Sequence, residues 1–309
     1  MMISDLRDGM MVNGQFLVAS AAKSINNAGS FYYTVELRDA SGSISAKKWD
    51  VLPIDESVFV PGNVVFISGE VVKYRESLQL KILKSALVDP ENIDFTVLLT
   101  PPPVPKEELL RRFNNYVESI EDKDCRALLD YFVKKYGKQL EIYPAGVSVH
   151  HEYSSGLLTH LTSMAELGDF LAKKYAPVNR DLLITGILLH DIGKIIELEG
   201  PVVYKYSTEG KLLGHISIMM GEIRMAAQEL NITSEIPMLL EHMILSHHDK
   251  PDFGSPVMPM IKEALLLTYI DNLDSKMAIA DKALDAVEPG EFTQKIFPLD
   301  GRALYKPKK

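Results

Sequence analysis

Apolar and polar positions change places over short distances between residues 10 and 89, and over helical intervals in the later part of the chain. Phe16-Leu17-Val18 sits in a first candidate strand that ends near Lys23. Asn26-Asn27-Ala28-Gly29-Ser30 is turn chemistry, because Asn and Gly tolerate the backbone angles that a reversal needs. Phe31 to Arg38 is rich in aromatic and β-branched residues and runs into a second turn, Asp39-Ala40-Ser41-Gly42. Ser43 to Trp49 alternates, with Ile44, Ala46 and Lys48 on one face and Ser45, Lys47 and Trp49 on the other. Val64 to Val72 gives a fourth strand, Tyr74 to Glu76 turns it, and Leu78 to Val88 gives a fifth. Five short strands in this space fit a small Greek-key barrel of the OB type.

Pro101-Pro102-Pro103-Val104-Pro105 cannot continue a strand or a helix and reads as a stiff connector. Beyond it the spacing becomes helical. Leu109, Leu110, Phe113, Tyr116 and Val117 share one face of a first helix, and Asp124 to Tyr136 forms a second that Gly137 ends. Apolar helices follow through Leu157–Leu171, Leu182–Leu189, Ile218–Ile223, Leu239–Leu245 and Ala264–Ile270. The expected architecture is α+β: a five-stranded OB-type barrel over residues 1–90, a proline-rich linker over 91–105, and an all-helical domain over 106–309.

Composition narrows the chemistry. Among 309 residues there is no run of eighteen apolar positions and no charged-then-apolar leader, so the chain is expected to be cytoplasmic and free of membrane. Cys125 is the single cysteine, which excludes an intrachain disulfide and a cysteine-based zinc site. Any metal must be held by His and carboxylates. The net charge of −9 argues against a surface covered in phosphate-binding groups. Residues 1–89 carry nine Lys/Arg against ten Asp/Glu, so the barrel is near neutral and the rest is acidic. Nucleic acid would then bind through a local groove. Tyr33, Trp49 and Tyr74, with Arg38, Lys47, Lys48, Lys73 and Arg75, are the candidates for stacking and phosphate contact, against the alternative that the rings fill the barrel core or a domain interface.

All eight histidines lie beyond residue 137. The apolar run Leu182–Leu189 ends in His190-Asp191-Ile192-Gly193-Lys194, which offers an imidazole, a carboxylate and, one helical turn later, an ammonium. His160 lies on the apolar face of the Leu157 helix. His215 follows Leu212-Leu213-Gly214, and the helix carrying His242 ends in Ser246-His247-His248-Asp249. Ala264–Ile270 runs into Asp271-Asn272-Leu273-Asp274-Ser275-Lys276. Burying so many imidazoles and carboxylates without partners would cost several kcal/mol, and divalent cations would offset that cost. His242 alone reads as an ordinary core histidine.

The ordered set His160, His190-Asp191, His215, His247-His248 and Asp271 resembles the HD superfamily of metal-dependent phosphohydrolases. His150-His151-Glu152-Tyr153 through Gly156-Leu157-Leu158-Thr159-His160 is similar to its branch of YhaM-type 3′–5′ exoribonucleases, which pair an OB-fold with an HD domain. So are Leu245-Ser246-His247-His248 through Gly254-Ser255-Pro256-Val257, and Tyr269 through Met277. The resemblance covers nearly the whole chain, with one departure: Ser154-Ser155 stands where another glycine is expected.

The resemblance implies His160, His190, Asp191 and Asp271 around one metal, with Asp191 bridging to a second held by His215, His247 and His248. It implies a phosphate contact for Lys194, and weaker supporting contacts for His151 and Lys276. The expected activity is metal-dependent 3′–5′ hydrolysis of single-stranded RNA to nucleoside monophosphates, with single-stranded DNA as a second substrate. The expected cofactors are two divalent cations, Mn²⁺ ahead of Fe²⁺, Mg²⁺ or Zn²⁺. A phosphodiesterase for a small nucleotide or cyclic dinucleotide is the first rival, and a non-catalytic nucleic-acid adaptor the second. Homo-oligomerisation is left open.

Overall fold

A computed structural model describes residues 2–26, 28–75, 77–99, 102–145, 154–200, 205–251 and 254–308. The chain divides into two compact units, one of residues 1–101 with 200–205 and the other of residues 102–199 with 206–309.

The first unit is built from β1 (Met11–Ile25), β2 (Phe31–Asp39), β3 (Gly42–Lys48), a one-turn helix α1 (Asp55–Val58), β4 (Val64–Tyr74) and β5 (Ser77–Leu87). The strands close into a barrel in the order β1-β2-β3-β5-β4, which removes every sheet edge. Only β3 and β5 run parallel; the other neighbours are antiparallel. This is the OB-type topology expected from the sequence.

The alternation read from β3 holds, because Ile44, Ala46 and Lys48 are buried while Trp49 is exposed. β1 is longer than its pattern suggests. Its first half pairs with β4 and its second half with β2, and a bulge between Val18 and Ser20 shifts the register. The bulge resets which positions face inward, so one strand carries two alternating patterns out of phase.

Residues 91–99, expected as connector, are folded onto the barrel. After a 3-10 turn (Pro90–Asn92), α2 (Phe95–Leu98) brings Leu98 onto Leu17 and Val64, with Val88, Ile93, Phe95 and Leu99 around them. Gln15 fastens the segment, donating to the Asn92 carbonyl (2.9 Å) and accepting from the Asp94 N–H (2.8 Å). A stretch this short has too few apolar positions to show a period.

The second unit is helical: α3 (Lys106–Glu118), α4 (Lys123–Leu140), α5 (Gly156–Lys174), α6 (Arg180–Leu189), α7 (Lys194–Glu197), α8 (Thr208–Glu229), α9 (Ile236–Ser246) and α10 (Lys262–Asp285), with a two-residue strand pair, β6 (Leu198–Glu199) and β7 (Lys205–Tyr206). Asn179 caps α6 by accepting from the Leu182 N–H (3.1 Å). Every residue from Leu182 to Leu189 is buried, because α6 is wrapped by α4, α5, α9 and α10. A helix buried on all sides has no polar face, which explains the unbroken apolar run. Among the described residues no helix is long and apolar enough to cross a membrane.

Candidate metal centre

The polar residues that end the core helices meet in one place. α6 closes with His190, whose N–H still bonds the Gly186 carbonyl (2.9 Å), and the chain then turns through Asp191-Ile192-Gly193 into α7. His190 is 0% and Asp191 2% exposed. α5 contributes His160, the end of α9 contributes His247 and His248, α10 contributes Asp271, and α8 contributes His215.

Four of the imidazoles are turned by a hydrogen bond at Nδ1. His190 donates to the Ile187 carbonyl (2.8 Å) and His247 to the Ile244 carbonyl (2.7 Å). A carbonyl oxygen only accepts, so both rings carry their proton on Nδ1. His160 Nδ1 meets Asp274 (2.7 Å) and His215 Nδ1 meets Glu197 (3.1 Å). The Nε2 atoms therefore point inward, as in metal sites whose imidazoles are oriented from behind.

What they point at is the pair of aspartates. Asp191 Oδ2 lies 3.6 Å from His160 Nε2 and 3.4 Å from His190 Nε2, while its Oδ1 lies 3.5 Å from His215 Nε2 and 4.0 Å from His247 Nε2. Asp271 Oδ1 is 3.3 Å from His160 Nε2 and 4.0 Å from His190 Nε2. His248 joins on the other side, its ring centre 4.1 Å from that of His247 and 5.6 Å from that of His215. Three overlapping sets have their ligand atoms within 4.8 Å of one another: His160-His190-Asp191, His190-His247-Asp271 and His215-His247-His248.

The donors fit divalent cations. Nε2 of His190, His215 and His247 and Oδ1 of Asp191 are buried without a hydrogen-bond partner among the described residues. Buried polar atoms are rarely left so, and four facing one another need a common partner. Ligand bonds of about 2.0–2.2 Å from nitrogen and oxygen to one cation leave ligand atoms spaced as these are. The set is nitrogen and carboxylate with no thiolate, which suits Mn²⁺, Fe²⁺ and Zn²⁺.

The charges keep Asp191, Asp271 and His247 in their binding form, whereas they favour a proton on His160 when no cation is there. Burial opposes the charge on Asp191, but Lys194 and His190 outweigh it and hold its pKa well below the carboxylate range. Lys194 Nζ donates to Asp191 Oδ2 (2.7 Å) and to the Ala145 carbonyl (2.8 Å). Burial likewise opposes the charge on Asp271, and its hydrogen bond with His160 and the nearby imidazoles hold its pKa down. Burial pushes His247 down, which keeps it neutral. At His160 burial pulls the same way, yet Asp271 and Asp274 outweigh it and the pKa stands at about 9.

Two glycines set the backbone around His215. α8 is broken at Gly214 (φ 71°, ψ 153°), and the second segment restarts at His215. Glu197 accepts from both the His215 N–H (3.0 Å) and its Nδ1, so one carboxylate caps that segment and orients the ring. Gly193 lets α7 lie against the His215 carbonyl, where a Cβ would collide with backbone.

The residues expected to act as ligands are thus brought together. Lys194 joins them through Asp191. Lys276 is exposed on α10, and five residues after Asp271 it faces about 140° away around the helix. His151 lies outside the described residues. His242 accepts from the Met260 N–H (2.9 Å) and stays out of the cluster, as expected. Asp274 and Glu197 were not foreseen; Asp274, one turn beyond Asp271, could have been. Ser155 adopts φ 61°, a left-handed conformation that glycine takes without strain, and its hydroxyl donates to the Glu141 carbonyl (2.7 Å).

On the barrel the candidate groups divide. Tyr33 is 7% exposed and packs on Phe59, and Lys48 is 6% exposed, so both belong to the interior. Trp49 is exposed and stacked on Tyr32 (ring centres 4.9 Å apart, planes at 28°), with Lys47 Nζ 4.7 Å from the Tyr32 ring centre. Tyr74 is exposed with the Arg75 guanidinium over it at 5.4 Å, and Arg38 and Lys73 are exposed. Tyr32 was passed over although it lies two-residue steps from Arg38 and out of phase with buried Tyr33.

Residues 157–276 match the family model for the HD domain. Over 300 residues the chain is 44% identical to the 3′-5′ exoribonuclease YhaM of Geobacillus sp., a match covering 97% of this chain and 93% of that protein. It is 43% identical to the 3′-5′ exoribonuclease YhaM of Bacillus subtilis, covering 97% of this chain and 96% of that one. Among solved structures, the second OB-fold domain of replication protein A from Methanococcus maripaludis covers 29% of this chain and 94% of that chain, at 17% identity and a TM-score of 0.25.

The electrostatics predict how metal and protons compete. With its pKa raised to about 9, His160 stabilises the metal-free fold fully below its unfolded pKa of about 6.5, and that contribution is lost as pH rises through 9. Cation binding at Nε2 displaces the same proton. The melting temperature of metal-free protein should therefore fall from pH 6.5 to pH 9, and the rise produced by Mn²⁺ should grow over the same window. Differential scanning fluorimetry across that range checks both, and parallel profiles with and without Mn²⁺ would contradict the arrangement. Gly193→Ala should push α7 from the start of the second α8 segment and lower metal occupancy by elemental analysis, with the barrel's circular dichroism retained.

Proposed function

The chain belongs to the YhaM family of 3′–5′ exoribonucleases, and we propose on that premise that its helical unit hydrolyses single-stranded RNA from the 3′ end, releasing nucleoside monophosphates. The observation that carries this reading is the convergence of buried, unpartnered ligand atoms on Asp191. His160, His190, Asp191 and Asp271 are assigned to one divalent cation, and Asp191 with His215, His247 and His248 to a second, Mn²⁺ being the preferred ion. Bound there, two cations supply charge stabilisation to the phosphate and activate water for in-line attack.

The chain's own groups have distinct tasks. Asp191 presents one oxygen towards each ligand set and is kept ionised by Lys194. Lys194 uses two of its donors on Asp191 and the Ala145 carbonyl, and its third is assigned to a non-bridging phosphate oxygen. Asp274 and Glu197 orient His160 and His215. The barrel is assigned to holding the strand. Tyr32 and Trp49 offer a stacking surface, with Lys47 beside them and Tyr74 and Arg75 as a second aromatic–cation pair. The same surface accepts single-stranded DNA, since every base has a ring face to stack.

Asp191→Ala should abolish hydrolysis of 5′-labelled RNA in Mn²⁺ while the protein remains folded; turnover like wild type would remove the metal-site assignment. Wild type should shorten the RNA from its 3′ end and be slowed by a blocked 3′ terminus. Circular RNA cut as fast as linear RNA would overturn the direction. Trp49→Ala should weaken RNA binding by about 1–3 kcal/mol if its ring stacks on a base. Fluorescence anisotropy of a labelled oligonucleotide reads that loss, and unchanged affinity would move the strand to another face.

A further inference from the structure

Beside the Tyr32–Trp49 stack lies a cavity of about 400 Å³ that the proposed stacking surface does not account for. Phe31 and Trp49 form aromatic parts of its wall, and Val51 and Leu52 line it further. Phe31 is 50% exposed although it begins a strand, so a large ring is held in the open. Tyr32 already covers one side of the Trp49 indole. The remaining apolar wall is broad enough for a flat ring system.

The polar lining is unusual for a protein that must hold a polyanion. Asp50 and Glu56 both border the cavity, against a single lysine, Lys23. Lys23 Nζ bonds Glu56 at 2.5 Å and sits 4.6 Å from the Phe31 ring centre. Two carboxylates against one ammonium leave the lining with a net negative charge. It has a carboxylate, Asp50, at the edge of an aromatic wall. A carboxylate there repels a phosphate or a carbonyl edge and accepts from an amino group, as Asp and Glu accept from the cytosine N4 amine.

We propose that this cavity takes one unstacked base of the bound strand and selects for an exocyclic amine, so that cytosine is preferred to uracil. The inference rests on the RNA reading above and adds a base preference to it. Cytosine turns its N4 amine to Asp50, while uracil places its O4 carbonyl against that charge. The strand's phosphates stay outside, near the Lys47 side of the sheet.

The chain has a single tryptophan, and it borders both this cavity and the Tyr32 stack, so its fluorescence reports a base at this face of the barrel. Full-length protein is titrated with 3′-blocked, phosphorothioate-linked oligo(C) and oligo(U) of equal length. Trp49 fluorescence is read for that face, and anisotropy of a labelled strand for total binding. Oligo(C) is expected to quench Trp49 and to bind about tenfold tighter than oligo(U), the size of one hydrogen bond to a charged group. Asp50→Asn should reduce that ratio towards one, and Phe31→Ala should weaken both strands. Equal binding of the two oligonucleotides, or a preference that survives Asp50→Asn, overturns the inference and leaves the RNA reading standing. Binding by anisotropy without change at Trp49 does the same. Failure of either strand to bind would overturn both readings together.

Discussion

Asp191 holds a full negative charge at 2% exposure, and much of the helical unit is explained by what that requires. A buried carboxylate without compensation would take up a proton or unfold its surroundings. Here it is met by a lysine one turn away, by four imidazoles, from α5, α8 and the ends of α6 and α9, and by a geometry that keeps its two oxygens turned to different ligand sets. The rest follows from positioning these groups. α6 must be apolar on every side to carry His190 to the centre, and α8 must break at Gly214 so that His215 can reach the same point.

The cost of assembling such a site falls on the protein whenever cations are absent. Among the described residues the lone pairs of His190, His215, His247 and Asp191 that face one another have no hydrogen-bond partner, and the carboxylates beside His160 favour its protonated form when no cation is there. Folding and metal binding are thereby coupled. The groups that orient the imidazoles matter as much as the imidazoles. A carbonyl of the helix's own last turn holds His190 and His247, whereas carboxylates hold His160 and His215.

Much of this was legible in the sequence, for identifiable reasons. Histidines at the ends of apolar helices are too costly to bury without purpose, and the resemblance to the HD phosphohydrolases supplied the expected ligand set. The inward positions of β3 followed from simple alternation. What stayed hidden depended on long-range geometry. Glu197 becomes the partner of His215 only because α7 packs against α8 at Gly193, and no spacing announces it. The bulge in β1 scrambled the alternation that would have revealed its full length. Residues 93–99 cover Leu17 and Val64, which point out of the barrel, and a seven-residue cover shows no period. Lys48 reads as a surface charge by residue type, although its own alternation with Ile44 and Ala46 places it inside, where it is 6% exposed.

We propose that this cluster holds two cations joined through Asp191. Anomalous X-ray diffraction at the manganese edge, from crystals of full-length protein grown with Mn²⁺, tests it directly. Two peaks about 3.5–4 Å apart are expected on either side of the Asp191 carboxylate, as in other two-metal sites. A single peak bound away from Asp191, or no peak among these histidines, would contradict it.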